Sequence, residues 1–97
     1  MFNLSFGEAL ELAKQGAKIQ RAGWNGKGMF VAYSPGFQNL PAEQFWGKAV
    51  KEWVSENGGT ANILPYLILK TADNQVLIGW LASQSDMLSN DWGVLQS

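Results

Sequence analysis

Neither cysteine nor histidine occurs anywhere in this sequence of 97 residues. Their absence excludes disulfide bonds, zinc sites built from these two residue types, thiol nucleophiles and catalytic triads that contain histidine. Charged side chains are also sparse, at 15% of the residues, and 7 basic against 8 acidic residues give a net charge of −1. Because nonspecific binding to DNA or RNA depends on a basic face, we expect neither polymer to be a partner.

Long apolar runs are absent as well. No apolar stretch approaches the roughly 20 residues that a membrane-spanning helix needs, and the first residues do not combine a basic segment with an apolar one. We therefore expect a cytoplasmic protein with no membrane partner.

Tryptophan, in contrast, occurs five times. A chain of this length buries about 60–70% of the surface that its unfolded form exposes, which leaves little room for so much aromatic surface in one core. Tryptophan anchors either cores or interfaces. Together with the low charge, the five tryptophans predict a homo-oligomer.

Capping signals and apolar spacing predict an α+β fold: a single domain over residues 1–97, with a small antiparallel sheet and two to three helices. A capping box of Ser5 and Glu8 opens the first helix, and Ser83 and Asp86 open a short later one. Between and after them we expect further elements, in the order strand 17–21, strand 29–33, helix within 40–59, strands 63–71 and 76–81, and a last strand within 91–96.

The predicted second helix contains Trp46 and Trp53 in a broad apolar stripe. Core packing and a subunit contact are the two interpretations of this pair. Pro65 cannot donate a ladder hydrogen bond, so we expect the start of its strand at a sheet edge.

The first motif that indicates a ligand is RAGWNGKGMF at residues 21–30, in the loop of the first predicted hairpin. Successive backbone N–H groups in such a glycine-rich loop form a concavity that binds anions, and Arg21 and Lys27 add positive charge. Trp24 is available to stack on a base. The glycine spacing is neither that of a Walker loop nor that of a dinucleotide-binding motif, and we expect no cofactor. A structural hairpin plugged by an aromatic side chain is the alternative.

The second motif is GWLASQSDMLSNDW at residues 79–92, where Trp80 and Trp92 flank the short helix. The N-terminus of that helix offers free N–H donors beside polar side chains. The alternative is a capped helix with both tryptophans in the core. Capping explains Asp86 and helix termination explains Asp91, and no acid–base partner is specified for either carboxylate.

Taken in order, four segments of the chain resemble a phage family, the Thoeris anti-defence family of the second type. The segments are FGEAL at 6–10, RxGWNGKGMF at 21–30, KTAD at 70–73 and WLASQSDMLxxDW at 80–92. This resemblance implies a non-enzymatic sponge that sequesters the glycocyclic ADP-ribose signal of bacterial Thoeris immunity in the host cytoplasm, and cyclic dinucleotides in some relatives. It also implies a homotetramer, made of two dimers, with pockets between protomers. The chain differs from shorter relatives over residues 37–64, where they have a plainer loop.

We combine the matching positions with the chemistry of the two motifs into one predicted set of ligand-binding residues. Its members are Arg21, Trp24, Asn25, Gly26, Lys27, Gly28, Trp80, Ser83, Gln84 and Asp86. Two rival functions remain open from the sequence. One is a metal-dependent hydrolase of cyclic nucleotide or ADP-ribose signals that uses Asp86 or Asp91, and the other is a structural protein whose tryptophans all lie in interfaces.

Overall fold

The computed structural model of the chain describes residues 2–24 and 27–95. In these ranges a six-stranded sheet has the order β1-β8-β2-β3-β6-β7, and a separate two-stranded sheet pairs β4 with β5. All pairs are antiparallel, so the predicted α+β class is confirmed. The elements are β1 (Phe2–Leu4), α1 (Phe6–Lys14), β2 (Ile19–Arg21), β3 (Phe30–Ser34), β4 (Phe37–Pro41), a 3-10 helix (Ala42–Gln44), α2 (Lys48–Glu56), β5 (Thr60–Ile63), β6 (Tyr66–Lys70), β7 (Val76–Ile78), α3 (Gln84–Leu88) and β8 (Trp92–Val94).

Both predicted hairpins form. Strands β2 and β3 pair with Ile19 opposite Val31, and β6 pairs with β7 from Ile68 to Lys70. The turn of the second hairpin places Asn74 at φ +65°, a left-handed conformation that asparagine tolerates better than most residues. The first two residues of β6 lie beyond the β7 register and pair with β3. Pro65 precedes β6 and lies in no strand, so the prediction that it belongs to the start of an edge strand is wrong.

Helix α1 begins with the predicted capping box, in which the side chains of Ser5 and Glu8 each accept a hydrogen bond from the backbone N–H of the other. This arrangement satisfies donors that every helix N-terminus leaves free. The buried face of α1 packs on the six-stranded sheet, and this contact forms the core. Its fully buried members are Ala9, Ala13, Ile19, Val31 and Trp92.

Residues 35–65 form a compact unit of their own, inserted between β3 and β6. The helix predicted within 40–59 forms as α2, but its predicted start at Pro41 is wrong. Pro41 ends β4 and precedes the 3-10 helix with extended backbone angles, and Gly47 caps α2 without a side-chain hydrogen bond. Extended conformation is available to both residues at no cost, so the chain forms a strand, a short turn of helix and then α2.

The apolar stripe of α2 does not form a core. Val54 is the buried residue of this helix at 1% exposure, whereas Trp46 and Trp53 are 82% and 58% exposed. Core packing was one of the two interpretations of these tryptophans, and it is wrong. A subunit contact stays a prediction.

Three strands, β1, β4 and β5, were not predicted, and the predicted strand 63–71 is interrupted at Pro65, since Ile63 ends β5 and β6 begins at Tyr66. β1 pairs with β8 at one edge of the six-stranded sheet, and β4 pairs with β5 in the inserted unit. Just before β4, Gly36 is at φ +78°, and a Cβ at this position would collide with the Ile63 carbonyl oxygen at the end of β5. Glycine is therefore required where the inserted unit begins.

Candidate functional site

Asp86 joins the two sequence motifs. Its Oδ1 atom accepts a hydrogen bond from Arg21 Nη1 at 2.8 Å and another from Trp24 Nε1 at 3.2 Å. Its Oδ2 atom accepts the backbone N–H of Ser83, the N-cap residue of α3, at 3.2 Å. The same carboxylate therefore caps α3 and binds the turn after β2, so side chains 62 and 65 residues apart in sequence lie together.

Asp91 supplies the second carboxylate that accepts hydrogen bonds from the turn. Its Oδ1 atom accepts Arg21 Nε at 2.9 Å, and its Oδ2 atom accepts the backbone N–H of Gly23 at 2.9 Å. Helix α3 ends at Leu88, so the prediction that Asp91 terminates the helix is wrong. Asp91 instead lies just before β8, where the antiparallel register brings it to the end of β2.

The charges of this cluster stabilise one another. Hydrogen bonds from Arg21 hold the pKa of Asp91 below its ordinary value. Burial alone would raise the pKa of Asp86, but hydrogen bonds from Arg21, Trp24 and Ser83 outweigh burial and lower it. In return, Asp91 and Asp86 raise the pKa of Arg21. All three groups are therefore charged at neutral pH, and a guanidinium shared by two carboxylates is a geometrically specific contact.

Three tryptophans pack beside this ionic cluster. The ring centroid of Trp24 lies 5.3 Å from that of Trp92 and 6.1 Å from that of Trp80, in edge-to-face arrangements. Trp92 is fully buried and donates its indole N–H to the Asp86 carbonyl oxygen at 2.8 Å. Trp24 and Trp80 are only half-buried, so each keeps part of its indole in contact with solvent.

A family model, described as the Thoeris anti-defense 2-like domain, matches residues 4–95. The chain belongs to this family. It is also similar to the protein named Thoeris anti-defense 2 of Bacillus phage SP01, with 38% identity over 95 residues, which cover 95% of this chain and 94% of the relative. The family resemblance found in the sequence is confirmed.

In this Thoeris anti-defense 2-like chain, half of the predicted ligand-binding residues lie in one cluster. Hydrogen bonds and ring contacts connect Arg21, Trp24, Trp80, Ser83 and Asp86.

The remaining described members of the predicted set are more exposed. Lys27 and Gly28 lie on the surface of the turn, and Gln84 is exposed in the first turn of α3. Asn25 and Gly26 lie outside the described residues. Whether this set binds a ligand stays a prediction.

The structure adds two residues to the site, Asp91 and Lys70, that the predicted ligand-binding set does not include. Asp91 was set aside as a helix terminator, although it holds the turn. Lys70 donates from Nζ to the Gly28 carbonyl oxygen at 3.2 Å and so brings an ammonium group to the turn. Gly28 is at φ +74°. The KTAD segment of this family includes Lys70, but its spacing gives no indication of that contact.

Within residues 2–24 and 27–95, no group of three or more acidic side chains is placed so that it could hold a metal ion. Asp86 and Asp91, the two carboxylates of the hydrolase hypothesis, both bind Arg21. A guanidinium at these oxygens competes directly with a metal cation. The same ranges contain no helix that is long and apolar enough to cross a membrane.

Proposed function

We propose that this protein is a non-enzymatic phage anti-defence sponge, which binds a cyclic ADP-ribose-type nucleotide and keeps it intact. The family of the chain and the name of its phage relative support a role against Thoeris immunity. The observation that carries the proposal is the junction at Asp86, where the glycine-rich turn and the helix of the second motif meet.

The junction provides an aromatic surface of the kind that a nucleobase needs. Trp24 is fixed at its indole nitrogen by Asp86 and packed edge-to-face against Trp80. Both indoles are half-buried, so their orientation is set by the protein while part of each ring stays available. Stacking on such a ring is worth about 1–3 kcal/mol per base and does not require a particular base.

We assign the phosphates of the ligand to the turn beyond Trp24. Lys27 is exposed there, Lys70 approaches the Gly28 carbonyl oxygen, and the left-handed backbone of Gly28 changes the direction of successive N–H groups. Two ammonium groups and a turn of this kind suit a pyrophosphate. Arg21 already binds two carboxylates, so in this proposal it shapes the site and Lys27 meets the ligand.

A hydrolase would need a carboxylate free to act as a base or to hold a metal. Asp86 and Asp91 are each hydrogen-bonded to Arg21, and their pKa values are lowered. At neutral pH both carboxylates are therefore charged and already bound to a guanidinium. General bases in enzymes usually have pKa values moved toward the working pH, which is the opposite direction. These observations favour binding over cleavage.

The decisive experiment separates binding from turnover. Glycocyclic ADP-ribose is incubated with the protein, the protein is denatured by heat, and the released nucleotide is analysed by chromatography. We expect intact nucleotide in proportion to the protein. A cleaved product would replace the sponge by a hydrolase, and no retention of the nucleotide before heating would refute the proposal. Native mass spectrometry with a panel of cyclic dinucleotides tests whether the same chain takes a second ligand class.

We further propose that the protein works as a homotetramer in the host cytoplasm. The exposed Trp46 and Trp53 of the inserted unit are candidates for contacts between protomers, because tryptophan is enriched in interaction surfaces.

A further inference from the structure

Asp91 holds three consecutive residues of the turn. Its carboxylate accepts Arg21 Nε and the Gly23 N–H, each at 2.9 Å, and its backbone carbonyl accepts the Ala22 N–H at 2.9 Å. The β2–β8 register, with Arg21 opposite Trp92, brings Asp91 to the place where the chain leaves β2. The start of the turn is therefore tied to β8 by one residue.

Two further contacts connect Arg21 with Trp24, one at the Trp24 backbone and one at its indole nitrogen. The Trp24 backbone N–H donates to the Arg21 carbonyl oxygen at 3.3 Å. At the other end, Trp24 Nε1 and Arg21 Nη1 donate to the same oxygen of Asp86. Asp91 thus fixes Arg21, and Arg21 is the neighbour of Trp24 both along the backbone and at the indole nitrogen.

We infer that Asp91 is a positioning residue of the ligand site, which acts on the nucleotide through Trp24. This inference rests on the proposed function, since it assigns to Asp91 the orientation of the indole that stacks on the base. A turn that is ordered before the ligand arrives avoids the entropic cost of ordering it on binding. Asp91 belongs to neither the predicted ligand-binding set nor the capping box of α3.

Close packing at Gly23 offers an independent way to disturb the same contacts. A Cβ on this glycine would lie 3.0 Å from Asp91 Oδ2 and 3.3 Å from Arg21 Nη2. Gly23→Ala therefore separates the two groups sterically while both side chains keep their charge. It serves as the second variant should Asp91→Asn fold poorly.

The test compares the parent with Asp91→Asn. An amide has one acceptor oxygen and directs N–H groups at one of the two donors, so it cannot serve both Arg21 Nε and the Gly23 N–H. The first measurement needs no ligand. It is the indole N–H resonance of Trp24 in a proton–nitrogen NMR spectrum, assigned by its disappearance in Trp24→Phe. We expect this resonance to shift or broaden in Asp91→Asn and in Gly23→Ala.

The second measurement is binding of glycocyclic ADP-ribose by calorimetry. In this proposal Asp91 does not contact the nucleotide, so its effect is limited to the stacking of the base on Trp24, and we expect a loss of affinity of about tenfold in both variants. Asn74→Ala is the control for stability, because it strains the left-handed position of the β6–β7 turn without touching Arg21 or Asp91. It should lower the Tm and leave the Trp24 resonance and the affinity unchanged.

The outcomes distinguish the positioning role of Asp91 from the proposed function. An unmoved Trp24 resonance in both variants overturns the positioning role, whether or not the parent binds the nucleotide. A moved resonance with parental affinity overturns it as well, since the orientation of Trp24 would not matter for binding. A parent that binds no nucleotide refutes the proposed function, and the resonance alone then decides whether Asp91 orients Trp24.

Discussion

Replacing Trp24 separates its two contacts, the packing of its ring and the hydrogen bond of its indole nitrogen. Trp24→Phe retains an aromatic face beside Trp80 and Trp92 but removes the 3.2 Å bond to Asp86. A hydrogen bond to a charged group contributes about 1.5–3 kcal/mol, and Arg21 still neutralises Asp86, so we expect a loss near the lower bound. At about 4–8 °C per kcal/mol for a chain of this size, the Tm falls by roughly 6–12 °C.

Trp24→Ala removes the ring as well. Truncation of a buried tryptophan costs about 3–5 kcal/mol, and the half-buried position of Trp24 places the cost toward 3. This is less than the ~5–15 kcal/mol that stabilises a typical domain, so the variant should fold. Its affinity for the nucleotide should fall about ten- to a hundredfold, because base stacking is worth ~1–3 kcal/mol. Trp24→Phe should lose less affinity than Trp24→Ala, because it keeps an aromatic face but loses the hydrogen bond that orients the ring.

Thermal unfolding and calorimetry of the parent and both variants give the two quantities. The reasoning fails if Trp24→Ala binds as tightly as the parent while folded. It also fails if Trp24→Phe loses as much affinity as Trp24→Ala, because the aromatic face would then not be what the ligand contacts.

Three further predictions concern charge and assembly. Lys27→Ala should reduce nucleotide affinity several-fold in calorimetry and leave the Tm unchanged, since the side chain is exposed; an unaltered affinity would contradict its assignment to phosphate. The pKa of Asp91 is lower in the folded than in the unfolded protein. The stability that its ionised form contributes is therefore complete above the unfolded-state pKa of about 3.9, and it is lost as the pH falls through the folded-state pKa. The denaturant midpoint of Asp91→Asn should therefore depend less on pH below about 4 than that of the parent, with Glu11→Gln as a charge-matched control that behaves like the parent. Light scattering should show a tetramer at micromolar concentration, and the double change of Trp46 and Trp53 to serine should lower the mass if these exposed side chains contact a partner.

Local signals in the sequence predicted those parts of the fold that depend on neighbouring residues. The two capping boxes, Ser5 with Glu8 and Ser83 with Asp86, form as expected because their partners are three residues apart. The left-handed conformation of Asn74 in the β6–β7 turn is a further local feature, since the preference for it belongs to the residue itself.

Elements that depend on distant residues were not predictable in this way. The helical spacing of Trp46, Val50 and Trp53 left core packing and a subunit contact both open, because a period identifies a face of a helix and not what covers that face. Strand β4 lacks regular alternation, and Asn39 within it is at φ +54°, so its pairing with β5 has no periodic signal. Arg21 and Asp91 are 70 residues apart, and an ion pair of that separation leaves no pattern in one sequence.

The inserted unit starts and finishes at neighbouring points of the sheet. Ser34, the last residue of β3, is the pairing partner of Tyr66, the first residue of β6, and directly opposed residues of antiparallel strands lie about 4.5–5.5 Å apart. A tight two-residue turn would span that gap as well as the 31 residues from Pro35 to Pro65 do. The length and sequence of this segment can therefore change without a shift in the register of the strands around Asp86 and Asp91. A fluorescent or affinity module could be inserted at the same junction.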